Sequence, residues 1–116
     1  MQQLSHSEIE EVLLSFKNSW RDYPFDKKTA VYLISKDKEF DSDNMFAVLE
    51  EDKVIVRLSL RCDPLLAKIL REKYDEVMPG VNLKNDEWNT LVLSGQLSND
   101  DLRGLIRHSY ELTKSK

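Results

Sequence analysis

The chain has 116 residues, the size of one ordinary domain, and leaves no room for a second sizeable core. With 41% hydrophobic and 33% charged residues but only 3 Gly and 3 Pro, it is neither collagen-like, nor low-complexity, nor disordered throughout. Seventeen Lys and Arg against 21 Asp and Glu give a net charge of -4, which excludes a uniformly basic nucleic-acid coat and leaves room only for a local basic patch.

Cys62 is the single cysteine, so no intramolecular disulfide forms. Met1 to His6 lacks a basic region followed by an apolar run, and the apolar stretches fall far short of the roughly 20 residues that span a bilayer. These features set the expectation of a cytoplasmic protein with no membrane partner. Residues 1–116 read as one domain, a monomer by default.

The first predicted element is a helix from about Ser7 to Trp20. Ser5 with Glu8 three residues on is a capping-box pattern. Ile9, Val12, Leu13, Phe16 and Trp20 recur at helical spacing and form one apolar stripe. Tyr23-Pro24-Phe25 breaks it, because a residue before proline is pushed out of the α region. Ala30–Ile34 and Met45–Leu49 read as strands rich in β-formers, joined by a polar loop. Glu50–Lys53 reads as a tight turn without the glycine that favoured hairpin turns use. A third strand, Val54 to Leu60, alternates: Val54, Val56, Leu58 and Leu60 point one way, Arg57, Ser59 and Arg61 the other. Such a strand belongs to an antiparallel sheet with one buried and one wetter face.

Asp63-Pro64 opens a second helix, Asp as N-cap and Pro where its missing N–H costs nothing. Leu65, Leu66, Ile69 and Leu70 make its apolar face, and it ends near Tyr74. Met78-Pro79-Gly80 reads as a turn, Asn85–Glu87 as a short helical turn, Trp88–Leu93 as a fourth strand, and Ser94-Gly95 as a turn. Ser98 caps a last helix with Leu102, Leu105, Ile106 and Leu112 on its core side. The predicted fold is α+β, an antiparallel sheet with helices packed on one face, in the order α-β-β-β-α-β-α.

The ordered series Leu60-Arg61-Cys62-Asp63-Pro64, Leu66-Ala67, Met78-Pro79-Gly80, Trp88-Asn89-Thr90 and Ser109-Tyr110 resembles the MmcQ/YjbR family. The likeness runs from about Ala30 to Thr113, and each piece gains its specificity from the order and spacing of the whole. The resemblance implies a frataxin-like (CyaY-like, "double wing") fold and the family's label of a small cytoplasmic DNA-binding protein without established enzymatic activity. It also implies that nucleic-acid contacts come from a sheet face and the adjoining loop. The sequence departs from the family there. A Leu-Asn-Lys-x-His-Trp stretch is here Leu83-Lys84-Asn85-Asp86-Glu87-Trp88, whose two acids beside the tryptophan weaken attraction to phosphate.

The residues assigned to such a surface are Arg57, Arg61, Lys84 and Trp88, with Lys53 near by and Tyr110 as a second aromatic. The cations would neutralise phosphates, and the aromatic rings would stack on bases. Packing in the core or its rim is the competing role for Trp88, Tyr110 and Trp20. Acids of the first helix and loop (Glu8, Glu10, Glu11, Asp37, Glu39, Asp41, Asp43) raise a weak frataxin-like metal role; a solvated acidic face is the plainer reading. No Gly-rich phosphate loop, H-E-x-x-H or G-x-S-x-G occurs. The expectation is therefore a non-enzymatic binding protein without a cofactor, its partner DNA or, alternatively, a protein or small ligand.

Overall fold

A computed structural model describes residues 2–80, 83 and 86–115. The site residue Lys84 and Asn85, the first residue of the predicted helical turn, lie outside the described residues; the rest of it, Asp86 and Glu87, forms a turn. Helix α1 spans His6–Leu14, and the Ser5–Glu8 capping box closes: Ser5 Oγ accepts from the Glu8 N–H at 3.1 Å and Glu8 Oε1 from the Ser5 N–H at 2.9 Å. The helix ends at Leu14, well before the predicted Trp20. Ser15 and Ser19 turn their hydroxyls on the carbonyls of Val12 and Phe16, and Asn18 takes a left-handed conformation (φ 63°) that a short amide side chain tolerates. The chain then enters strand β1, Ser19–Asp22, which carries Trp20 onto the sheet.

Strands β2 (Thr29–Ile34), β3 (Met45–Glu50) and β4 (Arg57–Arg61) follow, a 3-10 turn at Ser42–Asn44 leading into β3. Helix α2 (Pro64–Lys73), strands β5 (Val77–Pro79) and β6 (Trp88–Val92) and helix α3 (Asn99–Lys114) complete the order. The six strands form one sheet, ordered β1-β2-β3-β4-β6-β5, antiparallel throughout. This is the predicted α+β fold and element order, extended by a short strand at each sheet edge.

Three local readings need correction. β4 starts three residues later than expected, because the glycine-free turn widens into a loop that holds Asp52 at φ 58° and leaves Val54 fully exposed and Ile55 half exposed. Met78-Pro79 is an edge strand rather than a turn; proline's missing N–H is harmless on an outer edge. On α2, Leu65 and Ile69 face outward while Ala67 is buried and Leu70 packs on the core.

All three helices lie on one face. Ile9 and Leu13 of α1, with Leu102, Ile106 and Tyr110 of α3, pack on Tyr32, Phe46, Leu49, Leu58, Leu60 and Leu91 from the sheet. Ser109 locks α3 down: its hydroxyl donates to the Phe46 carbonyl and accepts the Arg61 N–H at 2.9 Å. Glu10 joins α1 to the sheet by accepting from the Tyr32 hydroxyl at 2.6 Å and from Arg21 Nη1 at 2.7 Å.

The Tyr32 hydroxyl, aided by Arg21, holds the Glu10 carboxyl below the ordinary range against the opposing effect of burial. A depressed folded-state pKa stabilises above the unfolded value, and that contribution disappears as pH falls through the folded value. Glu10→Gln is therefore expected to lower the urea midpoint at pH 7, with the gap to the parent closing below the ordinary glutamate pKa of about 4.3. Urea titrations at pH 7, 5, 4 and 3 check this; a gap that is constant with pH contradicts it.

Candidate binding groove on the open sheet face

The face opposite the helices is built by strand alternation. Val31, Val48, Ser59 and Thr90 are successive cross-strand partners on it, with Met78 beside Thr90 at the edge. Toward one end lie Trp20, Leu33, Met45, Arg61 and Trp88; toward the other, Thr29 opposite Glu50 and Arg57 opposite Val92.

At the first end two of the four predicted nucleic-acid residues, Arg61 and Trp88, meet, but not as a surface, while Arg57 lies toward the other end. Arg61 is 6% exposed and Trp88 3%. Arg61 Nε donates to the Met45 carbonyl at 2.6 Å, Nη2 to the carbonyls of Ser42 at 3.1 Å and Asp43 at 3.4 Å, and Nη1 pairs with Glu87 at 3.2 Å. Its guanidinium lies 5.0 Å from the centre of the Trp88 ring. Burial pulls the Arg61 pKa down, and Glu87 and Asp43 push it back up. This guanidinium is spent on joining the loop before β3 to the loop before β6. A cavity of about 280 Å³ lies beside it, bounded also by Leu83. Arg57, by contrast, is exposed. Tyr110 is buried between Phe16, stacked on it at 4.5 Å, and Phe46, edge-on at 5.5 Å.

The other half of the face holds a larger groove of about 360 Å³, lined by Phe25, Asp26, Thr29, Val48, Glu50, Ser59 and Leu83. The Ser59 and Thr90 hydroxyls are 2.8 Å apart in its floor region. Phe25 is 63% exposed and meets the half-exposed Phe40 edge-to-face. The alternation of Thr29, Val48, Glu50 and Ser59 was the available sequence signal for the floor. No periodicity marks Phe25 or Leu83, which come from loops.

Elsewhere, burial pushes the Cys62 thiol up to about 11, with Asp63 adding to the shift. His108 Nε2 accepts the Asp63 N–H at 3.1 Å. The loop acids make local contacts: Asp37 accepts from the Ser35 hydroxyl and the Glu39 N–H, and Asp41 caps the 3-10 turn. Among the described residues, no three His, Cys, Asp or Glu side chains converge to hold a metal ion. No helix there is long and apolar enough to cross a membrane.

A family model described as YjbR matches residues 14–112, which include every lining residue of the groove. The chain belongs to the YjbR family. It is 32% identical over 69 residues to the Escherichia coli K12 protein described as uncharacterized protein YjbR, a stretch covering 60% of this chain and 58% of that one. Among solved YjbR-like structures, Deinococcus radiodurans protein DR2400 superposes with a TM-score of 0.87 at 28% identity, covering 95% of this chain and 78% of that one. A Pseudomonas syringae protein superposes with a TM-score of 0.76 at 22% identity, covering 95% and 99%; this likeness bears on the fold alone.

Proposed function

We propose that this YjbR-family chain is a non-enzymatic binding module whose working surface is the open sheet face and whose ligand is a small molecule. The groove carries the reading. Its volume of about 360 Å³ falls within the range of about 300–1,000 Å³ usual for ligand sites. It combines apolar walls (Phe25, Val48, Leu83) with a few placed polar groups, the composition such sites use. A nucleic-acid role draws less support. Asp26 and Glu50 line the groove, and Arg61 has its donors committed to protein carbonyls and Glu87. Of the expected cations among the described residues, Arg57 and Lys53 are exposed, and Lys53 pairs with Glu50. The raised thiol of Cys62 makes a poor nucleophile, and the nearby His108 Nε2 is engaged by a backbone N–H, which favours binding over catalysis.

Two measurements test the reading. Fluorescence anisotropy with labelled single- and double-stranded DNA and RNA at low salt is expected to give no saturable binding, because phosphate attraction is greatest there and still finds an acidic rim. An NMR fragment screen on ¹⁵N-labelled protein is expected to shift amides of Thr29, Val48, Glu50 and Ser59, and Val48→Trp, which fills the groove, to abolish those shifts. Saturable nucleic-acid binding with a steep salt slope, lost in Arg57→Glu, overturns the proposal in favour of the family's DNA label.

A further inference from the structure

The groove is chemically lopsided, and we infer that its ligand is a small organic cation, a primary ammonium on an apolar stem. The inference rests on the groove being the ligand site and adds what enters it. Strand register fixes the asymmetry. Val48 and Ser59 are cross-strand partners in the middle of the floor. One row along, Thr29 stands opposite Glu50. Asp26 closes the same end: its carboxylate accepts the Lys28 N–H at 2.8 Å, and the Thr29 hydroxyl helps that N–H hold it in the charged form. Two carboxylates and a hydroxyl therefore sit together at one end, while Phe25, Val48 and Leu83 offer apolar surface.

Among the described residues, no lysine or arginine lines this groove. Lys53 reaches Glu50 from the hairpin loop at 3.8 Å, an ion pair whose lysine side chain is 46% exposed. Such a pair contributes little and yields readily to a better-placed cation. Arg57 continues the row on β4 but is exposed, and among the described residues makes no ion pair. An anion would meet two carboxylates, and a neutral apolar molecule would displace water from them without supplying a charged donor. A primary ammonium supplies three donors to carboxylates, in charge-assisted hydrogen bonds stronger than neutral ones, while its stem covers Val48 and Leu83.

Phenethylamine, with phenethyl alcohol and phenylacetate as neutral and anionic isosteres, tests this by ¹⁵N NMR titration at pH 7. The expected result is shifts at Thr29, Val48, Glu50 and Ser59, an amine at least ten-fold tighter than the alcohol, and no binding by phenylacetate. The Asp26→Asn/Glu50→Gln variant is expected to bind the amine no better than the alcohol. Its two positions are exposed or half-buried, so the fold is retained. If the alcohol or the acid binds in the groove as well as the amine, or the preference survives in the variant, the cation assignment fails while the groove stands as a ligand site. If none of the three probes shifts the groove amides, the cation assignment fails; if the fragment screen also fails there, the groove reading falls with it.

Discussion

Arg61→Ala is expected to cost about 3–5 kcal/mol of folding stability, the range seen when one partner of a buried ionic network is removed. A domain of this size has about 5–15 kcal/mol to lose, so the variant gives up a large share of its stability. The substitution removes the guanidinium's hydrogen bonds to the Met45 and Ser42 carbonyls and its ion pair with Glu87, and empties the space over Trp88. Arg61→Lys keeps the charge but not the planar fork that serves several carbonyls at once, and is expected to lose about half as much stability. Urea denaturation followed by tryptophan fluorescence measures both. Arg57→Ala, on the same strand face but exposed, is expected to stay within about 0.5 kcal/mol of the parent. A small loss in Arg61→Ala would contradict the buried network. The contrast bears on function: a charge reversal at Arg61 places a carboxylate against Glu87 and three carbonyls, so loss of nucleic-acid binding in such a variant would report unfolding. Arg57→Glu alone probes the surface.

The difference between these two arginines marks how far the sequence is legible. Alternation along β4 places Arg57, Ser59 and Arg61 on one face, correctly. It cannot say that the segments around Met45 and Trp88 cover one end of that face and leave the other open. The cover comes from distant parts of the chain, and Arg61 is buried by it. Helix starts were legible because their chemistry is local: Ser5 with Glu8, Asp63 with Pro64, and Ser98 each cap as expected. The end of α1 was not, since Trp20 continues the helical stripe and only the hydrogen bonding of Ser15 and Ser19 and the backbone of Asn18 reverse it. The edge strands β1 and β5 have four and three residues and owe their conformation to the neighbouring strand. Of the groove, the floor could be read and the loop-borne walls could not.

Phe46→Ala is expected to be comparably damaging, at about 3–5 kcal/mol. Phe46 is fully buried where three parts of the chain meet. Its ring stands edge-on to Phe16, just beyond α1, at 6.1 Å and to Tyr110 of α3 at 5.5 Å, and those two rings stack on each other. Truncation removes two edge-to-face contacts and leaves a cavity whose walls cannot close. Tyr110 is tethered by its hydroxyl to the Lys17 carbonyl at 2.7 Å, and Ser109 holds α3 to the Phe46 carbonyl. Phe46→Leu fills part of the space and is expected to lose less. In a double-mutant cycle, Phe46→Ala and Tyr110→Ala are expected to be non-additive by about 0.5–1.5 kcal/mol, the worth of an aromatic pair beyond its buried area. Denaturant midpoints at an unchanged m-value give these numbers. Strict additivity would mean that α3 holds its place through Ser109 and its aliphatic stripe alone, so that the aromatic cluster adds buried area without joining the segment after α1 to α3.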